Sequence, residues 1–124
     1  MSAPMLQKVA FTMYPVQDYK RARAFYEDTL GLKPGNHSPT GTWSEYDLPG
    51  GGCVALFQTQ DIQPSSGAGG SVAFEVADLD GYIARLKDKG VRFKAEIIHS
   101  PVCSMSIILD SEGNSIILHE LKKN

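Results

Sequence analysis

The sequence predicts an α+β fold in which one small module occurs twice, and two observations carry that prediction. The run Phe11-Thr12-Met13-Tyr14-Pro15-Val16-Gln17-Asp18 leads into a helix-patterned stretch closed by Leu30-Gly31. A matching run, Ser71-Val72-Ala73-Phe74-Glu75-Val76-Ala77-Asp78, leads into another closed by Lys89-Gly90. Strand-patterned sequence follows each helix, so the order strand, helix, strand, strand, strand is spelled twice. A period near half the chain length marks a duplicated module rather than a solenoid. The 124 residues therefore read as a single domain, 1–124, of two βαβββ modules at about 8–60 and 70–121. Two like modules facing each other enclose a cleft between like surfaces, and function is to be read from the residues lining it.

Lys8 to Val16 alternates loosely and is rich in β-forming residues, so it reads as a strand, with Pro15 expected to end its regular pairing. Asp18 stands where a helix N-cap belongs, because a carboxylate there accepts from the free amides of the first turn. Tyr19, Ala22, Phe25, Tyr26, Thr29 and Leu30 recur at helical spacing and form the buried face, with Gly31 as the stop. The second module repeats the scheme with Ser71 to Val76 as strand and Asp78 as cap. Leu79, Tyr82, Ile83 and Leu86 form its buried helical face, and Gly90 is its stop. Thr42 to Leu48 and Cys53 to Gln58 flank Pro49-Gly50-Gly51-Gly52 as a hairpin. Val91 to Ile98, Val102 to Leu109 and Ser115 to Leu121 are the last three strands, the final two joined by the turn Asp110-Ser111-Glu112-Gly113-Asn114. Leu32 to Thr40, with two prolines, holds a short or irregular strand. Gln60 to Gly70 connects the modules.

Composition excludes several classes of function. With 42% hydrophobic and 21% charged residues the chain can bury a real core. A net charge of −2, with scattered Lys and Arg, sets up no field for a polyanion, so no nucleic-acid partner is expected. The start of the chain has no basic segment leading into an apolar run, and no apolar stretch approaches membrane-spanning length. No membrane partner and a cytoplasmic location are expected. In that reducing compartment Cys53 and Cys103 read as free thiols.

The repeated order resembles the vicinal oxygen chelate superfamily, which includes glyoxalase I, extradiol dioxygenases, fosfomycin resistance proteins and bleomycin-binding proteins. The motifs that carry the resemblance are Val16-Gln17-Asp18, Arg23-Ala24-Phe25-Tyr26, Leu30-Gly31-Leu32, Ala73-Phe74-Glu75-Val76-Ala77-Asp78 and Asp110-Ser111-Glu112-Gly113-Asn114. It spans roughly Lys8 to Leu121 and implies two βαβββ modules forming a U-shaped cleft, helices outside. In metal-dependent members the cleft holds four ligands, usually His, Gln or Glu. The resemblance places their positions at Phe11, Ala55, Ser71 and Ile117 in this chain. One hydroxyl and three apolar side chains supply no charge to offset the dehydration of a divalent cation, so no metal and no cofactor are expected.

Counting by twos along the strands names the other side chains on the cleft face: Met13 beside Phe11, Cys53 and Phe57 beside Ala55, and Ala73 and Glu75 beside Ser71. Ser115 and His119 flank Ile117. Similarity to fosfomycin resistance proteins points Cys103, Met105 and Ile107 inward as well. The ligand-binding set is therefore Phe11, Met13, Cys53, Ala55, Phe57, Ser71, Ala73, Cys103, Met105, Ile107, Ile117 and His119, mostly apolar and soft. Thioethers and aromatic rings suit a flat or greasy organic molecule. One of Trp43 and Tyr46 is a candidate to close the cleft.

His119, Glu75 and Cys103 are the candidates for catalysis. His119 can serve as a general base, donate to an oxyanion or help hold a relocated metal, and it can equally be a partly exposed histidine without an orienting partner. Cys103 with His119 can form a nucleophile and base, and both thiols with His119 and Glu75 can offer a zinc site. Buried free cysteines otherwise serve as small hydrophobes. His37 and His99 read as solvated. The leading expectation is a metal-free protein binding a small organic ligand. The alternatives are a glyoxalase-like lyase or isomerase, and a structural or interaction protein whose cleft is plugged by its own side chains. Similarity to single-domain members and unpaired sheet edges point to a homodimer.

Overall fold

The computed structural model describes residues 9–67 and 71–122; Lys8, Gly69 and Gly70, which fall in an expected strand and connection, lie outside them. β1 (Thr12–Val16) leads into α1 (Tyr19–Ala24), which continues as one π-helical turn over Phe25–Thr29. β2 (Trp43–Asp47) and β3 (Cys53–Gln58) follow. The second module supplies β4 (Val72–Glu75), α2 (Leu79–Asp88), β5 (Phe93–His99), β6 (Cys103–Leu109) and β7 (Ser115–Leu121). Both caps form: the Asp18 carboxylate accepts from the Arg21 amide at 3.0 Å and Asp78 from the Gly81 amide at 3.1 Å. Both helices end on a left-handed glycine, Gly31 at φ +75° and Gly90 at φ +79°, a conformation that costs other residues roughly 1–2 kcal/mol.

The strands form two half-sheets, ordered β1-β3-β2 and β4-β7-β6-β5. In each, the opening strand pairs in parallel with the closing strand, and the intervening hairpin completes the sheet antiparallel. The first module has no regular counterpart of β5. Its place is taken by Gly35 to Ser38, which exchange backbone hydrogen bonds with Trp43 and Glu45 and make a single bridge from His37 to Ser44. Pro34 and Pro39 flank this stretch and lack the N–H that a longer ladder needs.

Pro15 does not end pairing in β1 as expected. It stands opposite Phe57, and the register runs on to Val16 and Gln58. The reason is that β1 is an edge strand of its half-sheet. The Pro15 carbonyl accepts from Asn114 Nδ2 of the second module at 2.9 Å, so the side lacking an N–H faces away from β3.

Alternation sends Tyr14, Val16, Tyr46, Val54 and Leu56 to the helix side of the first half-sheet, and Ile108, Ile116 and Leu118 to the helix side of the second. There they join Ala22, Tyr26, Leu79, Ile83 and Leu86 in one buried cluster that runs through both modules. Tyr26, fully buried, stacks on Tyr46 with centroids 6.1 Å apart and donates to Asp110 Oδ2 at 2.9 Å. Asp110 also accepts the amides of Glu112 and Asn114, so the buried carboxylate is well supplied with donors. At the seam between half-sheets, the Tyr14 hydroxyl donates to Ser115 O at 2.7 Å and accepts from Val72 N at 2.8 Å. The two modules are thus tied by polar groups as well as by apolar contact.

Candidate functional site

The opposite, helix-free faces are where the sequence places the site. In the first half-sheet Met13, Ala55 and Glu45 stand in one cross-strand row, and Pro15, Phe57 and Trp43 in the next. Their neighbours along each strand are the core residues Tyr14, Leu56 and Ser44, so these rows belong to the helix-free face. This decides between the two candidates on β2: Trp43 turns to the helix-free face and Tyr46 to the core. Phe11 lies just before β1 and is 45% exposed; its ring meets Trp43 edge-on at 5.2 Å, and Trp43 meets Phe57 at 5.5 Å. Trp43 Nε1 donates to Glu45 Oε2 at 2.7 Å, which fixes the indole. Phe11 and Trp43 come from opposite sides of β3, so their rings meet across the strand that carries Ala55. A methyl side chain leaves room for them, and Ala55 itself is 0% exposed. Cys53 shares this face, with burial first and then Asp47 and Glu45 pushing its thiol up, which makes it a poor nucleophile.

In the second half-sheet Ala73, Ile117 and Ile107 form one row and Glu75, His119 and Met105 the next. Ser71 precedes β4 and is exposed. Ile98 comes opposite Met105 after a register shift in β5, a position the sequence reading did not assign to this face. His119 is not alone. Its Nδ1 lies 2.6 Å from Glu75 Oε1, and the other carboxylate oxygen accepts from the Leu121 amide at 3.0 Å. The Glu75 hydrogen bond raises the imidazole pKa, and His119 in turn holds Glu75 down. Cys103 stands opposite Leu121, one diagonal step from His119, with Ser100 Oγ 3.3 Å from its sulfur. The Ser100 hydroxyl is the main group lowering the Cys103 thiol; burial opposes it, and His119 and then Lys122 add smaller lowering effects.

The candidate residues thus divide between two faces: Phe11, Met13, Cys53, Ala55 and Phe57 lie with Trp43 on the first half-sheet, and Ala73, Glu75, Cys103, Met105, Ile107, Ile117 and His119 on the second, with Ser71 just before β4. Met13 and Ser71 line a pocket of about 280 Å³ at the seam, together with Ser115 and the connection residues Ile62, Gln63, Ser65 and Ser66. The Ser115 hydroxyl is spent there on Ser66 O at 2.6 Å. A groove of about 340 Å³, lined by Leu30, Leu48, Phe74 and Tyr82, borders Glu75 but holds none of the other candidates.

The four positions that the family resemblance assigns to metal ligands carry a phenyl, a methyl, a hydroxymethyl and a branched alkyl group. They do not fit a divalent ion, since one neutral hydroxyl is their sole donor. Among the described residues no group of three or more His, Cys, Asp and Glu is placed to hold a metal ion. The zinc set of Cys53, Cys103, His119 and Glu75 is accordingly not assembled.

Paired parallel-closing modules, a shared core and two apolar helix-free faces define a class of small two-module α+β proteins. Residues 8–118 match the model of the Glyoxalase/Bleomycin resistance protein/Dioxygenase superfamily, and the chain belongs to that family. It is 29% identical over 110 residues to the anthracycline biosynthesis protein DauV of Streptomyces sp. (strain C5); the match takes in 86% of this chain and 38% of DauV, so the chain spans well under half of that relative. Among solved structures, a putative glyoxalase family protein from Bacillus anthracis superposes with a TM-score of 0.80 at 20% identity, covering 98% of this chain and 100% of that one. TnmS3, an antibiotic binding protein from Streptomyces sp. CB03234, superposes with a TM-score of 0.77 at 22% identity, covering 97% and 100%. These likenesses show the α+β fold of the family. No described helix is long and apolar enough to cross a membrane.

Proposed function

We propose that the chain binds a flat, largely apolar small organic molecule, without a metal ion, in a cleft between the helix-free faces of its half-sheets. The observation that carries this reading is the Phe11–Trp43–Phe57 ring cluster, set on the half-sheet face where two of the four family ligand positions, Phe11 and Ala55, carry apolar side chains. Met13, Met105, Ile107, Ile117 and Ala73 extend the apolar lining, Cys53 and Ala55 underlie the rings, and Ser71, Cys103 and His119 supply polar points for orientation. TnmS3 is an antibiotic binding protein and DauV an anthracycline biosynthesis protein, which lends support to an aromatic polycycle as ligand. A homodimer in the cytoplasm completes the proposal; the exposed Ile97, Ile98 and Val102 beside the β5 edge support pairing of two copies.

Trp43 is the single tryptophan of the chain and reports on the site directly. Titration with anthraquinone-2-sulfonate, followed by Trp43 fluorescence and by calorimetry, is expected to saturate, and Trp43→Ala is expected to weaken binding roughly three- to tenfold, the worth of one aromatic pair. Stoichiometric zinc, nickel, iron or manganese held through helix-free-face residues would overturn the metal-free reading. Absence of saturable heat with this probe and with a panel of smaller aromatic acids would favour the plugged alternative, which the complete burial of Ala55 supports on one half-sheet.

A further inference from the structure

We propose that Cys103, His119 and Glu75 form a nucleophilic thiol site that captures an electrophilic ligand, a quinone or similar conjugated carbonyl, by addition to the Cys103 sulfur. The three side chains come from β6, β7 and β4, adjacent strands of one half-sheet, and share its helix-free face. Glu75 is held by the Leu121 amide through one oxygen and meets His119 Nδ1 with the other. That bond orients the ring and leaves Nε2 as the nitrogen available to take a proton. Cys103 is half-buried, one diagonal step from the ring, and its sulfur also meets the Ser100 hydroxyl. Lys122 adds positive charge near the thiol, while His99 and Glu120 stand opposite Ser104 in neighbouring rows, away from Cys103. Leu121, directly opposite Cys103, is exposed and offers apolar surface beside the thiol. The contrast with Cys53, whose thiol is pushed up beside Asp47 and Glu45, makes the chain its own control.

His119 Nε2 takes the thiol proton, and the sulfur forms a bond to the ring carbon β to the carbonyl. The C=C electron pair moves onto the carbonyl oxygen, which receives the proton back from the imidazolium. Tautomerisation leaves a thioether-linked hydroquinone, with no leaving group and no external oxidant. Cys103 is the nucleophile, His119 the base, and Glu75 a positioning residue.

The ligand class rests on the binding reading above, whereas the activation of the thiol does not, and the experiment separates them. Alkylation by iodoacetamide, read by peptide mass spectrometry between about pH 6 and 8, is expected to modify Cys103 at least about tenfold faster than Cys53. His119→Gln should slow Cys103 about tenfold and leave Cys53 unchanged, and Glu75→Gln should move the pH midpoint of Cys103 alkylation upward. 1,4-Naphthoquinone should add once, with its full mass, at Cys103 and not in Cys103→Ala. Equal rates at the two cysteines, or no effect of His119→Gln, overturns the activated thiol; a naphthoquinone adduct shared evenly by both cysteines overturns selective capture. Anthraquinone-2-sulfonate has no open ring position for addition, so its binding to the unaltered protein tests the cleft without covalent capture. Absence of that binding with intact Cys103 reactivity would sink the ligand class, and binding without any naphthoquinone adduct would sink covalent capture.

Discussion

Replacing Glu112 by Gln removes one charge from the turn between β6 and β7 with almost no change of shape. Its two oxygens accept from the Gln17 and Asp18 amides at 3.0 and 2.8 Å, from Arg21 at 2.7 and 3.0 Å, and from the Ser111 hydroxyl at 2.8 Å. The side chain is 0% exposed, so burial acts to raise its pKa; the Arg21 guanidinium and then the surrounding donors outweigh burial and hold the carboxyl at about 2. A folded pKa below the unfolded one means that the carboxylate stabilises the native state above the ordinary glutamate range, and that this stability is lost as pH falls through about 2. The full difference corresponds to a ceiling of about 3 kcal/mol. Arg21 is half exposed and screened, which reduces the expected value to about 1–2 kcal/mol. Urea unfolding followed by far-UV circular dichroism should place Glu112→Gln about 1–2 kcal/mol below the parent near pH 7, with more than half of that gap closed near pH 3. A gap that is the same at both pH values, or under about 0.5 kcal/mol near neutrality, would refute the charge-based account of this joint.

Tyr14→Phe leaves the Val72 amide and the Ser115 carbonyl without their shared partner at the seam, and an unfolding measurement should show a loss of about 1–3 kcal/mol. Ala55→Glu restores a carboxylate at one family ligand position, but under the Phe11 and Trp43 rings and beside Glu45. It should cost at least about 3 kcal/mol and give no metal binding by calorimetry. The His119 resonance should titrate above the ordinary histidine value, so the ion pair stabilises the fold below that value and is lost as pH rises through the folded one. Glu75→Gln should bring the midpoint back down in an NMR titration.

The sequence by itself determined the repeat and the order of elements, because these depend on residue type and short-range spacing. Asp18 and Asp78 cap their helices and Gly31 and Gly90 end theirs since capping and left-handed turns are local chemistry. β3 and β7 have the predicted bounds, Cys53–Gln58 and Ser115–Leu121, each framed by a glycine-bearing turn on its N-terminal side. Tertiary structure alone decided what depends on register between distant strands. Trp43 rather than Tyr46 lies on the helix-free face because Trp43 stands opposite Phe57, a pairing set by the hairpin and not by either side chain. Pro15 stays in its strand because the side lacking a donor meets Asn114 instead of a sheet partner. Glu75 reaches His119 because β4 lies parallel to β7 in that row, and the same lattice sets Cys103 diagonal to the ring while leaving Cys53 in the other half-sheet. Side chains far apart in the chain share chemistry only when hydrogen-bonded backbones put them in adjacent rows, and pattern along one strand carries no information about which row its neighbour occupies.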